Sequence, residues 1–255
     1  MSARPLRLAV DPSPPSLTTA PVEVSLGAPA GGGPAVCLLP VVSGSAQGRA
    51  AALLAARTAG AELELVPLLL TGIGARYLAV AARRAAQLGW SGDELATLTR
   101  ELERHTFSLA MAPSLRGLER RVSAARRLPR ARRAGMRFAG DGWEPCPTGA
   151  EAVKRLAETG LARGATCAAG LSGRPPRDVR LLAGDLSELR VRLGGSGLAG
   201  DLGVRWAFEL LVAPPAGAAS LSGLREQIAA APRCGWCRKP VLGDRCRACA
   251  PEVQW

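Results

Sequence analysis

The sequence predicts an α/β protein with two lobes and a small metal-binding tail. Apolar, strand-like segments alternate with helix-forming segments over roughly the first hundred residues, which is typical of a mostly parallel sheet. A strand, a basic stretch and a hairpin follow, and they indicate a second lobe of α+β type. Four cysteines in two Cys-x-x-Cys pairs complete the pattern. We therefore expect a first lobe at 1–105, a second at 106–222, and a linker with a zinc-ribbon tail at 223–255.

The elements of the first lobe follow from apolar periodicity and helix end signals. The segment "AVCLLPVV" is apolar throughout, as expected of a parallel strand buried on both faces. A helix from about Ser45 ends near Gly60, and the strand "ELELVPLLL" leads to a further helix that opens at Thr71. A Ser-x-x-Glu capping box at Ser91 then starts a helix that reaches about His105.

The second lobe is predicted from shorter segments. The segment "TFSLAMAPSL" has strand character, and Asp141-Gly142 marks the turn of a hairpin in "GMRFAGDGWEP". The remaining elements are a helix "GAEAVKRLAETG", a strand "GATCAAGL", a helix "PRDVRLLAGDLSELRVRL" and a strand "VRWAFELLV". The segment from Leu221 to Ala231 forms a last helix or a linker.

Composition and charge narrow the function classes. Hydrophobic residues make up 47% of the 255 residues and charged residues 21%, so we expect a folded core. The net charge of +12 comes almost entirely from arginine and favours anionic partners. Ala, Gly, Arg and Pro are abundant together, which also indicates a coding bias and weakens the charge as a guide to function.

We expect a cytoplasmic protein without a membrane span. The first residues, "MSARPLRLAVDPSPPS", contain no apolar run of signal-peptide length. The most apolar region, 63–82, is interrupted by Arg76 and flanked by charged residues, so it is too short for a bilayer. In a reducing compartment the seven cysteines would serve as metal ligands or free thiols.

The cysteine tail has a spacing that suits a zinc ribbon. Cys234-x-x-Cys237 and Cys246-x-x-Cys249 are separated by eight residues. Two such pairs on a hairpin place four thiolates tetrahedrally around one Zn²⁺ ion. Four sulfur ligands leave no position for water, so the zinc would be structural and would stabilise a segment too small to hold a core. Free or redox-active thiols are the alternative interpretation.

Ser43-Gly44-Ser45 lies between a strand and a helix, where an anion would be well placed. The first turn of a helix offers unpaired N–H groups and the positive end of the dipole. Gly44 permits close approach of the backbone, and the hydroxyls of Ser43 and Ser45 can donate to a carboxylate. The alternative is that one of the two serines is simply an N-cap.

Other motifs carry weaker predictions. Gly72 and Gly74 form only half of a dinucleotide fingerprint, so we do not expect a nucleotide site. His105 is the only histidine and completes no Ser/His/Asp set, which argues against hydrolase chemistry. The stretch from Arg116 to Arg137 holds nine arginines against one acid. It is either a solvated basic face or a docking surface for acidic protein or phosphate groups.

Several motifs in order resemble those of the DegV family of fatty-acid-binding proteins, over roughly Leu6 to Gly223. The segment "RLAVDPS" resembles the family's opening strand and turn, "LTTAP" its threonine loop, and "VVSGSAQGRAA" its Ser-Gly segment. "TGIGARYLAVAARRAAQLG" resembles its Met-Gly-x-Gly helix start, and "MRFAGDGWEP" its Asp-Gly hairpin. "SLAMAPSLRGLERRVSAA" falls where the family has its Gly-Gly-Arg segment.

The resemblance implies a two-lobed DegV-like fold with one acyl chain between the lobes. Ser43 matches the family's carboxylate-holding serine, and Thr18 or Thr19 matches its threonine. Arg121 matches an arginine near the surface that receives a fatty-acid kinase, the partner that phosphorylates the bound lipid. Pro214 and the two residues after it stand where the family has a histidine, so the head-group site is altered.

These observations lead to two hypotheses. The leading one is a cytoplasmic, non-enzymatic protein that binds a long-chain fatty acid and carries structural zinc in its tail. The alternative is a zinc-ribbon protein that binds nucleic acid or acts as a scaffold and takes no lipid.

Overall fold

The computed structural model describes residues 23–26, 35–40, 63–68, 70, 72–114, 134–139, 143–146, 149–242 and 246. The strands in this part of the chain are β1 (Glu23–Leu26), β2 (Ala35–Pro40), β3 (Leu63–Leu68), β4 (Phe107–Ala112), β5 (Ala134–Ala139), β6 (Trp143–Pro145), β7 (Thr166–Gly173), β8 (Arg192–Gly195) and β9 (Trp206–Ala213). The helices are α1 (Gly72–Gln87), α2 (Gly92–Arg104), α3 (Ala150–Ala162), α4 (Arg177–Glu188), α5 (Leu198–Leu202) and α6 (Ala218–Ala230). None of these helices is long and apolar enough to cross a membrane.

The first sheet is parallel, with the strand order β1-β2-β3. Val36, Leu38, Val66 and Leu68 are fully buried, which explains the apolar run of β2 and, apart from Glu64, that of β3. Helix α1 packs against β1, and α2 packs against β3. The predicted parallel sheet of the first lobe is therefore confirmed. The helix predicted over 45–60 lies outside the described residues.

The second sheet has the strand order β6-β5-β4-β9-β7-β8. Its neighbouring strands are antiparallel except for β7 and β8, which are parallel. Helices α3 and α4 cover one face. There Met111, Phe208 and Leu210 of the sheet pack with Val153 of α3 and Leu182 of α4 in one buried cluster. This arrangement confirms the predicted α+β character of the second lobe.

The opposite face of the second sheet packs against the first lobe. Ala110, Met136, Phe138 and Ala207 belong to the same buried cluster as the apolar residues of the first sheet and its helices. Helix α1 contacts both β9 and β7. Along α1, the boundary between the two sheets is therefore filled with side chains.

The structure corrects one predicted helix. The helix expected over 176–193 ends at Glu188. Arg190 adopts a φ of 64°, a left-handed conformation that a helix cannot continue through. The chain then forms β8, an exposed edge strand that pairs with β7. The five-residue helix α5 that follows was not predicted, because so short a segment shows no periodicity.

Helix α6 returns the chain from the second sheet to the first lobe. Leu221 and Ile228 are buried in the first-lobe cluster, and α6 packs against α2 and α1. The segment predicted as a helix or a linker is thus a helix. The boundary expected after residue 222 falls inside it.

Candidate functional site

The carboxyl-terminal edge of the first sheet is where the predicted ligand segment begins. Strand β2 ends at Pro40, which pairs with Leu68 at the end of β3. Ser43 follows three residues after Pro40, and α1 begins four residues after Leu68. The connections that leave these two strands therefore start side by side, at the edge where open α/β sheets bind their ligands.

The predicted ligand residues lie outside the described part of the chain. They are Thr18, Thr19, Ser43, Gly44, Ser45 and Arg121. The structure gives the end of the strand that precedes Ser43 and the end of β4 that precedes Arg121. The roles of these six side chains stay predictions.

A buried carboxylate, Glu209, meets the start of α1 at this edge. Glu209 lies on β9 and is fully buried, on the sheet face that carries Ala207 and packs against the first lobe. Its Oε2 accepts a hydrogen bond from the backbone N–H of Ile73, 3.3 Å away. The hydroxyl of Ser196 donates to the same oxygen. The second sheet thus supplies a carboxyl group to the amino-terminal end of a first-lobe helix.

Gly72 makes this contact sterically feasible. Its φ is +46°, in the left-handed region that favours glycine. A Cβ atom on Gly72 would lie 2.5 Å from Cδ of Glu209, inside the carboxylate group. A glycine is therefore required at position 72 for two reasons: the left-handed backbone conformation and the close approach of the Glu209 carboxyl group.

A second buried carboxyl group, that of Glu103, bonds to the connection between β3 and α1 from within the first lobe. Oε1 of Glu103, on α2, accepts from the backbone N–H of Leu70 at 2.9 Å. Glu103 is 8% exposed, and Leu70 is fully buried. The connection between β3 and α1 is thus bonded on both sides, by Glu103 of its own lobe and by Glu209 of the second sheet.

Side chains of α1 bind carbonyl groups of the second lobe. The hydroxyl of Tyr77 donates to the carbonyl oxygen of Pro214 at 2.6 Å. Arg84 donates to the carbonyl oxygen of Ala216 at 2.8 Å. Burial raises the pKa of Tyr77 above its usual range, so its hydroxyl remains a donor. The stretch 214–216, where the resemblance implied a histidine, is therefore bonded to α1 through its backbone carbonyl groups.

Three of the four tail cysteines come together. The sulfur atoms of Cys234, Cys237 and Cys246 all lie within 4.8 Å of one another, and the last two are 3.3 Å apart. The N–H of Cys234 donates to the carbonyl of Lys239, and the N–H of Trp236 donates to the Cys234 sulfur at 3.5 Å. Three converging sulfurs in a tight turn fit a tetrahedral thiophilic ion such as Zn²⁺. The predicted fourth ligand lies beyond the described residues.

The tail rests on the first lobe. Nζ of Lys239 lies 3.4 Å from Oδ1 of Asp93 in the first turn of α2. Pro240 is buried, and Leu242 packs against the first-lobe cluster. The N–H of Val241 donates to a carbonyl just after α6. The cysteine cluster is therefore attached to the body of the protein.

The lone histidine and two further cysteines are not part of the contacts described above. Nε2 of His105 lies 2.9 Å from Oε1 of Glu101 on the exposed surface of α2. Burial raises the pKa of Cys146 to about 11, despite the opposing charge of Arg137, and burial also raises that of Cys167. Thiols that resist deprotonation are poor nucleophiles and poor metal ligands at neutral pH.

Comparison with solved structures identifies the architecture. A stearic-acid-binding protein from Eubacterium ventriosum superposes with a TM-score of 0.52 at 14% identity, covering 72% of this chain and 71% of its own. DegV, a fatty-acid-binding protein from Bacillus subtilis, gives a TM-score of 0.50 at 16% identity and covers 70% of each chain. The chain has the DegV fold. The resemblance inferred from the motifs is thus confirmed at the level of fold.

A further DegV structure extends the comparison. A DegV family protein from Eubacterium eligens, loaded with heptadecanoic acid, gives a TM-score of 0.50 at 13% identity, covering 71% of this chain and 73% of its own. No family profile and no curated protein matches the sequence itself. The likeness to these structures is therefore one of fold, at 13–16% sequence identity.

Within the DegV fold, sequence analysis missed the residues that join the sheets. Glu209 is the one charged residue in the strand "WAFELLVA", and an acid in a buried strand is a usable signal. Nothing in the sequence marks Ser196 as the partner of Glu209 or Tyr77 as the partner of Pro214. Their roles follow from tertiary contacts with residues more than ten positions away.

Proposed function

We propose that this protein binds one long-chain fatty acid, with the head group at the carboxyl-terminal edge of the first sheet. The observation that supports this most is the shared edge at which β2 and β3 end, opposite the second sheet. The segment Ser43-Gly44-Ser45 leaves that edge with the composition of an anion site. Proteins with the same fold have been crystallised with stearic and heptadecanoic acids.

The acyl chain supplies most of the affinity. Each buried methylene contributes about 0.8 kcal/mol, whereas a charge-assisted hydrogen bond to the head group contributes about 1.5–3 kcal/mol. The chain therefore determines how tightly the lipid binds, and the head-group contacts determine its orientation. Because side chains fill the boundary along α1, the hydrocarbon lies outside that contact in this proposal.

The predicted residues take specific roles in this proposal. Ser43, Ser45 and the backbone of Gly44 receive the carboxylate, with Thr18 or Thr19 as a further hydroxyl donor. Arg121 lies on the surface that presents the lipid to a fatty-acid kinase. The protein itself performs no chemistry on the lipid. The lobe division at 105 and 222 and a cytoplasmic location stay predictions.

The head-group site differs from that of the family in this proposal. Pro214 stands in the stretch where a histidine is expected, and its carbonyl oxygen is already bonded to Tyr77. An imidazole cannot contribute there, so hydroxyl and amide donors bind the carboxylate alone. We therefore expect an affinity that changes little between pH 6 and 8, where a histidine would titrate.

Substitution of Ser43 tests the site. Fluorescence titration with a pyrene-labelled fatty acid should show roughly tenfold weaker binding for Ser43→Ala, the loss of one charge-assisted bond. Ser222→Ala is the matched control, because its exposed hydroxyl bonds only within α6. Equal affinity for both variants would remove Ser43 from the site. Failure of the wild-type protein to bind the probe would contradict the proposed function.

We also propose that the tail binds one structural Zn²⁺ ion through Cys234, Cys237, Cys246 and Cys249. The convergence of the first three sulfur atoms supports this assignment. Bound zinc would stabilise the turn that holds Lys239 against α2. The ion would have no open coordination position and therefore no catalytic role.

A role for the tail in nucleic-acid binding is the second candidate function. Trp236 is 81% exposed on the cysteine turn, and the exposed arginines Arg233 and Arg238 flank it. An exposed indole beside cations suits a base stacked on a single strand. Retention on single-stranded DNA that falls steeply with salt, and is lost in Trp236→Ala, would favour this function over a purely structural tail.

A further inference from the structure

We infer that Glu209 is a positioning residue. Its hydrogen bonds hold the start of α1 against the second sheet, and they thereby fix the position of α1 at the edge where the ligand is proposed to bind. The consequence for the ligand rests on the proposed function, whereas the fastening itself does not. The first step is burial. Glu209 is fully buried in a strand that is otherwise apolar, and a buried carboxylate is retained only where it is well bonded.

The second step is the identity of its donors. One is the N–H of Ile73 in the first turn of α1, and another is the hydroxyl of Ser196. Ser196 also accepts from the N–H of Leu198 at the start of α5. A single carboxyl group, 136 positions away from Ile73 in the sequence, thus connects a first-lobe helix to the β8–α5 connection of the second lobe.

The third step concerns where a ligand anion can bind. Two helices were expected to start at this edge, one after β2 and one after β3. The carboxyl group of Glu209 already lies at the amino-terminal end of α1, the second of these helices. Gly72 has a left-handed backbone conformation and no Cβ atom, which leaves room for this group. A ligand carboxylate is therefore excluded from the start of α1, because the carboxyl group of Glu209 already fills that space. The head group is directed to the neighbouring connection, at Ser43-Gly44-Ser45.

Glu103 provides the matched comparison. It is also buried, and it accepts an N–H from the same connection, at Leu70. Its contact stays within the first lobe, whereas that of Glu209 crosses to the second sheet. The variants Glu103→Gln and Glu209→Gln therefore change the same chemical group in similar burial. They differ in whether the affected bond joins the two lobes.

The test measures amide hydrogen exchange and fatty-acid affinity in both variants. Glu209→Gln should speed exchange in the first turn of α1 at least tenfold and weaken fatty-acid binding about tenfold, because each corresponds to the loss of one charge-assisted bond. Glu103→Gln should lower overall stability and weaken the affinity less than Glu209→Gln does, because its bond does not join the two lobes. Ser196→Ala, a milder change, should move exchange and affinity in the same direction as Glu209→Gln.

Two results would overturn the inference. One is unchanged exchange at α1 in both Glu209→Gln and Ser196→Ala. The other is an equal loss of affinity in Glu209→Gln and Glu103→Gln, which would reduce Glu209 to a general stabilising role. If the wild-type protein binds no fatty acid, the proposed function fails, and the exchange measurement in the ligand-free protein still decides whether Glu209 fastens α1.

Discussion

The hydroxyl of Tyr77 donates a hydrogen bond to the carbonyl oxygen of Pro214, 2.6 Å away. Tyr77 lies on the first-lobe helix α1, and Pro214 follows the central strand β9 of the second sheet. Together with the contact between Glu209 and Ile73, this bond makes α1 the helix through which the two lobes are held in register. The predictions below test this junction, the tail and the ligand.

Tyr77 should titrate abnormally. It is the only tyrosine of the chain, so absorbance of tyrosinate near 295 nm reports on it alone. Because burial raises its pKa above the ordinary 10.0, the native protein should show no tyrosinate at pH 10. The associated stability is present below pH 10 and is lost as the pH rises further, since only the unfolded chain ionises readily. A smooth titration centred on pH 10 in the folded protein would contradict the buried bond.

Gly72→Ala should destabilise the protein. The substitution forces an alanine into a left-handed conformation, at a cost of about 1–2 kcal/mol, and places its Cβ against the Glu209 carboxylate. Gly184→Ala is the control, because a Cβ there on α4 meets nothing within 4 Å and alanine favours a helix by roughly 0.5–1 kcal/mol. Urea unfolding should therefore move in opposite directions for the two variants. A neutral Gly72→Ala would exclude the close contact with Glu209.

Glu94 should contribute to stability above mildly acidic pH. Burial opposes its ionised form, but the hydrogen bonds from Ser91 and the ion pair with Arg225 outweigh burial and lower its pKa below 4.5. Its contribution is therefore present above pH 4.5 and disappears as the pH falls through the lowered value. The carboxylate is partly exposed, so the effect should be below about 1 kcal/mol.

The measurement is the free energy of unfolding of wild-type protein and Glu94→Gln as a function of pH. The two curves should differ at pH 7 and converge under acid conditions. Parallel curves over the whole range would show that the pairing of Glu94 with Arg225 of α6 contributes nothing.

Zinc removal should destabilise the tail first. Purified protein should contain one zinc ion per chain by atomic emission, and Cys237→Ser should lose it. Cys146→Ser is the control, because Cys146 is not part of the cysteine cluster and should leave the zinc content unchanged. Chelation should expose the turn around Lys239 to proteolysis before the sheets unfold, since the metal stabilises that turn. Full zinc content in Cys237→Ser would refute the proposed ligand set.

Much of the fold follows from the sequence, because apolar runs report burial directly. Strand β2 is apolar over its length, and β3 and β9 are apolar except for one glutamate each. The Ser91 capping box marks the start of α2, where both of its reciprocal bonds are present. The edge strand β8 was not predicted, because a sequence reports burial only where apolar residues mark it. All four of its residues are exposed, so it carries no apolar pattern.

The candidate site was less accessible from sequence. The cysteine spacing predicted a cluster, and three of its members converge, because ligand spacing is a local property. The bonds of Glu209 to Ile73 and of Tyr77 to Pro214 join positions more than 130 residues apart. No local pattern encodes such pairs. Glu209 in the otherwise apolar strand β9 indicates only that its carboxyl group has a hydrogen-bonding partner, and not which one.

Native mass spectrometry of the protein purified from cells tests the central claim most directly. The account predicts a folded species heavier than the chain by the combined mass of one zinc ion and one long-chain fatty acid. Extraction with organic solvent should release the acid for identification and leave the metal in place. A folded species without any acyl mass, which also fails to take up added fatty acid, would contradict the account.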